Sequence, residues 1–154
     1  MRTARAGVVR LVLDTNTVVS GYLWNGPPSD LIAIAMKNIL TVDLFSSDPL
    51  HTELRNVITR QKFSKQLALK GWTAERLLAE YADRVRTVVP PSIPRTVLDD
   101  PDDDVVLATA LACRAHLIVS GDEHLVKLGS FRHMRIVSSA EAVSLLRDGR
   151  SFGG

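Results

Sequence analysis

The stretch "RLVLDTN", from Arg10 to Asn16, decides how the rest of the chain is read. Leu11, Val12 and Leu13 suit a buried strand, yet the run stops at once in an acid, a hydroxyl and an amide. A second apolar run ends the same way in "LIVSGDEH", from Leu117 to His124. Between them, short apolar runs alternate with helical patterns. "VVRLVL" reads as the first strand, and a loop carrying Leu23 and Trp24 leads to Pro27-Pro28-Ser29, which opens a helix with Leu31, Ile32 and Ile34. "TVDLF" is a second strand, after which Ser47-Asp48-Pro49 opens a helix with Leu50, Leu54, Val57 and Ile58 at helical spacing. Gly71-Trp72-Thr73 precedes another helix with Leu77, Leu78, Tyr81 and Val85, and "RTVV" is a short strand before the loop "PPSIP". "DDDVVLATALACRA" is a helix apolar nearly all round, which implies burial between layers. "HLIVS" and "MRIVS" close the sheet, and "SSAE" at Ser138 to Glu141 is a capping box for the last helix. This alternation predicts an α/β fold, a three-layer α/β/α sandwich with a mostly parallel central sheet. No repeat or linker interrupts it, so residues 1–154 are expected to form one domain with its core at about 9–147.

At 154 residues the chain can bury a core without covalent staples. Cys113 is the only cysteine, which excludes an internal disulfide framework and a cysteine-based zinc site. It sits in an apolar stretch, where an inert buried thiol is expected. The apolar run after Arg2, Arg5 and Arg10 is too short for a signal peptide or a membrane span, so a cytoplasmic protein away from membranes is the expectation. Net charge is only +2, but its distribution is uneven. From Arg55 to Arg86 eight basic residues face three acids, among them Arg60, Lys62 and Lys65. Such a segment suits a polyanion. Aromatic content of 5% favours contact with phosphates over base stacking.

In an open parallel sheet, ligand sites lie outside the carboxyl ends of the strands. Asp14 and Asp122 are therefore expected in one crevice. Asp104 lies in the first turn of the buried helix, about 40° from Ala108 and about 60° from Leu107 on the helical wheel, which aims it inward. Asp103 falls about 20° from Arg114, on a face that needs solvent or a partner, and Asp102 suits a cap. Glu53 lies about 40° from Val57, at the edge of its helix's apolar face. Carboxylates that share a crevice repel unless a cation or protons intervene. An oxygen-only ligand set suits Mg²⁺ or Mn²⁺, which activate water and clamp phosphoryl oxygens.

The constellation "LVLDTN … DPLHTELRNVI … DPDDDVVLATAL … LIVSGDEHL" resembles the PIN domain (PilT N-terminal domain), in particular the VapC-like ribonuclease components of bacterial toxin–antitoxin pairs. The resemblance runs from about Val9 to Val137. It implies a metal-dependent ribonuclease on an α/β/α sandwich, with the four acids of the family falling on Asp14, Glu53, Asp104 and Asp122 as catalytic and metal-binding residues. The five acids between Asp99 and Asp104 leave the third position open by a residue or two. Asn16 and Ser120 would orient the carboxylates or bound water. The resemblance also implies an RNA substrate, a small antitoxin protein as partner and a homodimer.

Two alternatives compete. A haloacid-dehalogenase-type phosphohydrolase would use Asp14 as nucleophile, but it normally carries a second aspartate where this chain has Asn16. A catalytically inactive PIN-like module binding RNA or protein would be expected to lose some of the acids. The histidines His51, His116, His124 and His133 show no metal-ligand spacing; His124, two residues past Asp122, could approach the crevice, but a surface position is expected for it.

Overall fold

The computed structural model describes residues 7–96 and 101–148; Asp99, Asp100 and the side chain of Asp102, the last of them expected to cap a helix, lie outside them. Strand β1 (Val9–Leu13) passes directly into helix α1 (Thr15–Leu23), where the sequence suggested a loop. "TNTVVSGYL" is a poor helix former, with threonines, valines, asparagine and glycine. It folds as a helix because Asp14 caps it, accepting the Thr17 N–H at 2.8 Å, and because Val18, Val19, Tyr22 and Leu23 are buried. Packing of one face supplies what propensity lacks.

Helix α2 (Pro27–Lys37) returns against α1. Their close approach depends on Gly21, where a β-carbon would overlap the end of Ile32 and meet the Pro28 carbonyl oxygen at 3.0 Å. Then follow β2 (Val42–Ser46), α3 (Asp48–Ile58), a 3-10 turn (Gln61–Phe63), α4 (Ser64–Leu69), α5 (Ala74–Arg84) and β3 (Val85–Thr87). The second half comprises α6 (Pro101–Cys113), β4 (Leu117–Val119), α7 (Glu123–Val126), β5 (Ser130–Phe131), β6 (Met134–Val137) and α8 (Ser139–Arg147).

Among the described residues the strands form one sheet in the order β3-β2-β1-β4-β6-β5. All neighbours are parallel except the short β5, which pairs antiparallel with β6 through a two-residue turn. Arg132 and His133 occupy that turn with φ of 46° and 73°, as tight hairpins require.

Alternate residues of a strand face opposite sides. Leu11 and Leu13 join a core with α1, α2, α3, α5 and α8, while Val12, Ile118 and Ile136 join a second core with Val106, Leu107 and Ala110 of α6 and Leu125 of α7. These are the three layers the sequence predicts. Because β1 and β4 run parallel and adjacent, with Leu13 opposite Val119, their carboxyl ends open on the same edge.

Candidate active site

Asp14 stands at that edge, one residue past β1, and is only 5% exposed. One carboxylate oxygen caps α1 through Thr17; the other accepts the Ser120 hydroxyl. Ser120 is fully buried just past β4, and its Oγ in turn accepts the Asp122 N–H at 2.9 Å. A single hydroxyl thus ties the two strand ends together. Asp122 caps α7 by accepting the His124 N–H at 2.7 Å. Burial pushes the Asp14 carboxyl above the usual carboxylate range, the Asp122 charge adds to the push, and hydrogen bonds from Ser120 and Thr17 oppose it. Tyr81 of α5, buried, lies near enough that the Asp14 charge helps to keep its hydroxyl protonated, after burial itself and the neighbouring Tyr22.

The third acid at this edge is Asp103, where the sequence favoured Asp104. One ligand atom each from Asp103, Asp122 and His124 lie within 4.8 Å of one another. Asp103 is 7% exposed. Asp104 instead turns to the preceding loop, where both its oxygens accept the Thr96 N–H at 3.2 Å and Arg95 lies 3.9 Å away. The register follows from packing. Asp103 is one helical turn before Val106 and Leu107 and two before Ala110, all at most 2% exposed, whereas Leu111, two turns after Asp104 on the same face, is only half-buried. The wheel that set Asp103 beside Arg114 does not extend that far, since α6 ends at Cys113 and Arg114 is left-handed, with φ of 52°.

Glu53 is half-buried on α3. It lies outside the group within 4.8 Å, but α3 packs against both α1 and α6, and the buried Ser47 and Thr109 hydroxyls, 2.9 Å apart, join the start of α3 to α6. Asn16 is exposed on the first turn of α1. His124, its side chain 39% exposed as expected of a surface residue, nonetheless stands with its Nδ1 3.5 Å from Asp122 Oδ1, the approach to the crevice that its position two residues past Asp122 allowed. The available signal was the "GD" turn itself, because a capping aspartate folds the following residues back over it. Burial pushes the Cys113 thiol up to about 12, in keeping with an inert residue.

The set can hold a divalent cation. Two carboxylates and an imidazole converge within ligand reach, a buried third carboxylate is coupled to them through Ser120, and closely spaced anions of this kind are stabilised by a cation. Arg60, Lys62 and Lys65, the basic residues singled out in the sequence, are exposed at and after the end of α3. No helix among the described residues is long and apolar enough to cross a membrane.

Comparison with known proteins bears on the same elements. No curated protein matches the chain. Among solved structures, it is similar to the crystal structure of VapBC2 from Rickettsia felis bound to a DNA fragment from their promoter, with a TM-score of 0.57 at 13% identity, covering 84% of this chain and 98% of that one. At that identity the likeness is one of fold. The family model described as "PIN domain" matches residues 10–124, a span that opens on β1 and closes on His124 and so contains every acid of the crevice. The chain is a member of the PIN domain family.

Proposed function

We propose that this chain is a metal-dependent endoribonuclease that hydrolyses RNA phosphodiester bonds, and that it is the toxin of a toxin–antitoxin pair acting in the cytoplasm. The observation that carries the reading is the convergence of Asp14, Asp103 and Asp122 at one sheet edge, with Ser120 between the first and the last. Asp103, Asp122 and Asp14 would hold Mg²⁺ or Mn²⁺, with Glu53 and His124 beside them. When bound, such an ion supplies an activated water and neutralises charge on the phosphoryl group. The chain's own residues do the rest. Ser120 and the Thr17 N–H fix the Asp14 carboxylate, and the His124 N–H fixes that of Asp122. Arg60, Lys62 and Lys65 attract the phosphate backbone. The family and the VapBC2-like fold support the toxin assignment and a small antitoxin as partner; the homodimer rests on the family resemblance alone. The haloacid-dehalogenase alternative finds no support in the family match.

The test is incubation of single-stranded RNA with the purified protein and Mn²⁺ or Mg²⁺. Cleavage leaving 5′-phosphate and 3′-hydroxyl ends, abolished by chelation and by Asp122→Asn, is the expected result. Ends carrying 2′,3′-cyclic phosphate, or full activity in chelator, would overturn the proposal.

A further inference from the structure

Trp24 closes the C-terminal end of α1 and leaves 44% of its surface exposed. Phe63, distant in sequence, meets it edge-on with ring centroids 6.1 Å apart, and the Lys62 ammonium lies 5.1 Å from the Phe63 ring centre. The two segments are fastened together. Gln66 Nε2 donates to the Leu23 carbonyl at 2.6 Å, and Lys70 Nζ donates to Asn25 Oδ1 at 3.2 Å. The aromatic pair is therefore built before any ligand arrives. From Arg60 to Trp72 the chain carries Arg60, Lys62, Lys65 and Lys70, all exposed, and no acid. Asp14 caps one end of α1 and Trp24 the other, so the pair stands about 15 Å from the crevice, ten residues at helical rise.

Exposed aromatic faces interleaved with cations are how proteins hold single strands. Bases stack on the rings while phosphates meet the basic side chains. Resting on the ribonuclease reading above, we propose that Trp24 and Phe63, with Lys62 and Lys65, form a platform that docks single-stranded RNA beside the crevice, one base stacking on the Trp24 indole. A second copy of this chain fits the surface less well, because it would bring the same uncompensated cations against these.

The test uses a fluorescently labelled single-stranded oligoribonucleotide and its duplex form, both in chelator so that nothing is cut. In a Trp72→Phe background Trp24 is the sole indole, since the chain has two tryptophans. The single strand should quench its emission and the duplex should not. In the otherwise native chain, Trp24→Ala should weaken single-strand binding about 5- to 100-fold with the salt dependence unchanged, and Trp24→Phe should recover most of it. Lys62→Gln with Lys65→Gln should instead flatten the salt dependence. Native affinity in Trp24→Ala, with RNA cleavage intact, overturns the platform and leaves the ribonuclease reading standing. Loss of a dimer in Trp24→Ala with RNA affinity unchanged reassigns the surface to self-association. Failure of the native chain to bind or cut any RNA overturns both.

Discussion

The two edges of the sheet are built on opposite principles. At the carboxyl edge, Asp103 and Asp122 crowd together, Asp14 is joined to Asp122 through Ser120, and burial holds Asp14 above its ordinary pKa. At the amino edge Arg10 and His116 meet unlike partners. The Arg10 N–H donates to His116 Nδ1 at 2.9 Å, and the His116 N–H donates back to the Arg10 carbonyl at 2.8 Å. Arg10 Nε lies 3.0 Å from both the Cys113 and Arg114 carbonyls, which the end of α6 leaves open. The same two elements, β1 and α6, join these edges. Their matched ends hold in place a pair of ends that would otherwise repel. An edge that carries an electrostatic cost beyond what its helix caps return is where function is to be sought.

The sharpest way to break this contrast is to remove one crevice acid. Asp103→Asn should lower RNA cleavage by about 100-fold or more, beyond the 10–100-fold typical of residues that only orient ligands. Asp104→Asn, which keeps an acceptor for Thr96 and loses a long ion pair to an exposed Arg95, should stay within a few-fold of native activity and within about 1 kcal/mol of native stability. Initial rates on one labelled RNA, with denaturant midpoints for both variants, check the pair. A dead Asp104→Asn beside an active Asp103→Asn would return the helix to the register first read from sequence.

A divalent cation should erase part of the cost. At a concentration about 100 times its dissociation constant, Mn²⁺ should stabilise the protein by about 2.7 kcal/mol, a rise in Tm of roughly 5–10 °C. Asp122→Asn should abolish most of the rise. Asp14→Asn should do the same while making the metal-free protein more stable by on the order of 1 kcal/mol, since asparagine still caps α1 and no buried charge remains. Thermal melts in chelator and in Mn²⁺ measure both effects. A metal-free Asp14→Asn less stable than native would show that the crevice is matched after all.

How far this was legible in the sequence depends on what each residue has to contrast with. Asp14 and Asp122 stand out because each ends a run of strand residues, and parallel strands leave only one edge for them to share. The third acid had no such contrast. Every residue from Val105 to Cys113 is apolar or threonine, so α6 gives no phase from which to choose between Asp103 and Asp104, and burial by the sheet made the choice. Helix α1 was hidden for the converse reason, its local preferences being overruled by a cap and a buried face. The aromatic pair was invisible because Trp24 and Phe63 meet only through tertiary packing, so a low aromatic content understated what two rings can do.

At the matched edge, Arg10→Ala should cost about 2 kcal/mol of stability, the scale of hydrogen bonds made by a charged donor. It should move metal affinity much less than Asp122→Asn does. Urea unfolding with metal titration on the same samples separates the two. If Arg10→Ala weakened metal binding as severely as removing an acid, the edges would be one coupled site rather than a support and a load.

The smallest effect belongs to His116. Burial, and then the neighbouring Arg10 charge, lower its pKa below the ordinary 6.5, and its Nδ1 must stay unprotonated to accept the Arg10 N–H. The unfolded chain therefore takes up the proton at a higher pH than the folded one. His116 gives its full support above about pH 6.5, and that support shrinks as the pH falls through the ordinary value toward the lowered one. The imidazole is partly open to solvent, so screening keeps the loss under about 1 kcal/mol, or roughly 2–4 °C in Tm. His51, whose pKa burial also lowers, would contribute in the same window, so the comparison is made in a His51→Gln background. There, His116→Gln keeps a neutral acceptor and should make the fall in Tm between about pH 7.5 and about pH 5.5 shallower. An unchanged slope would mean that the amino edge tolerates a second positive charge beside Arg10, and the description of the Arg10–His116 pair as matched would have to be given up.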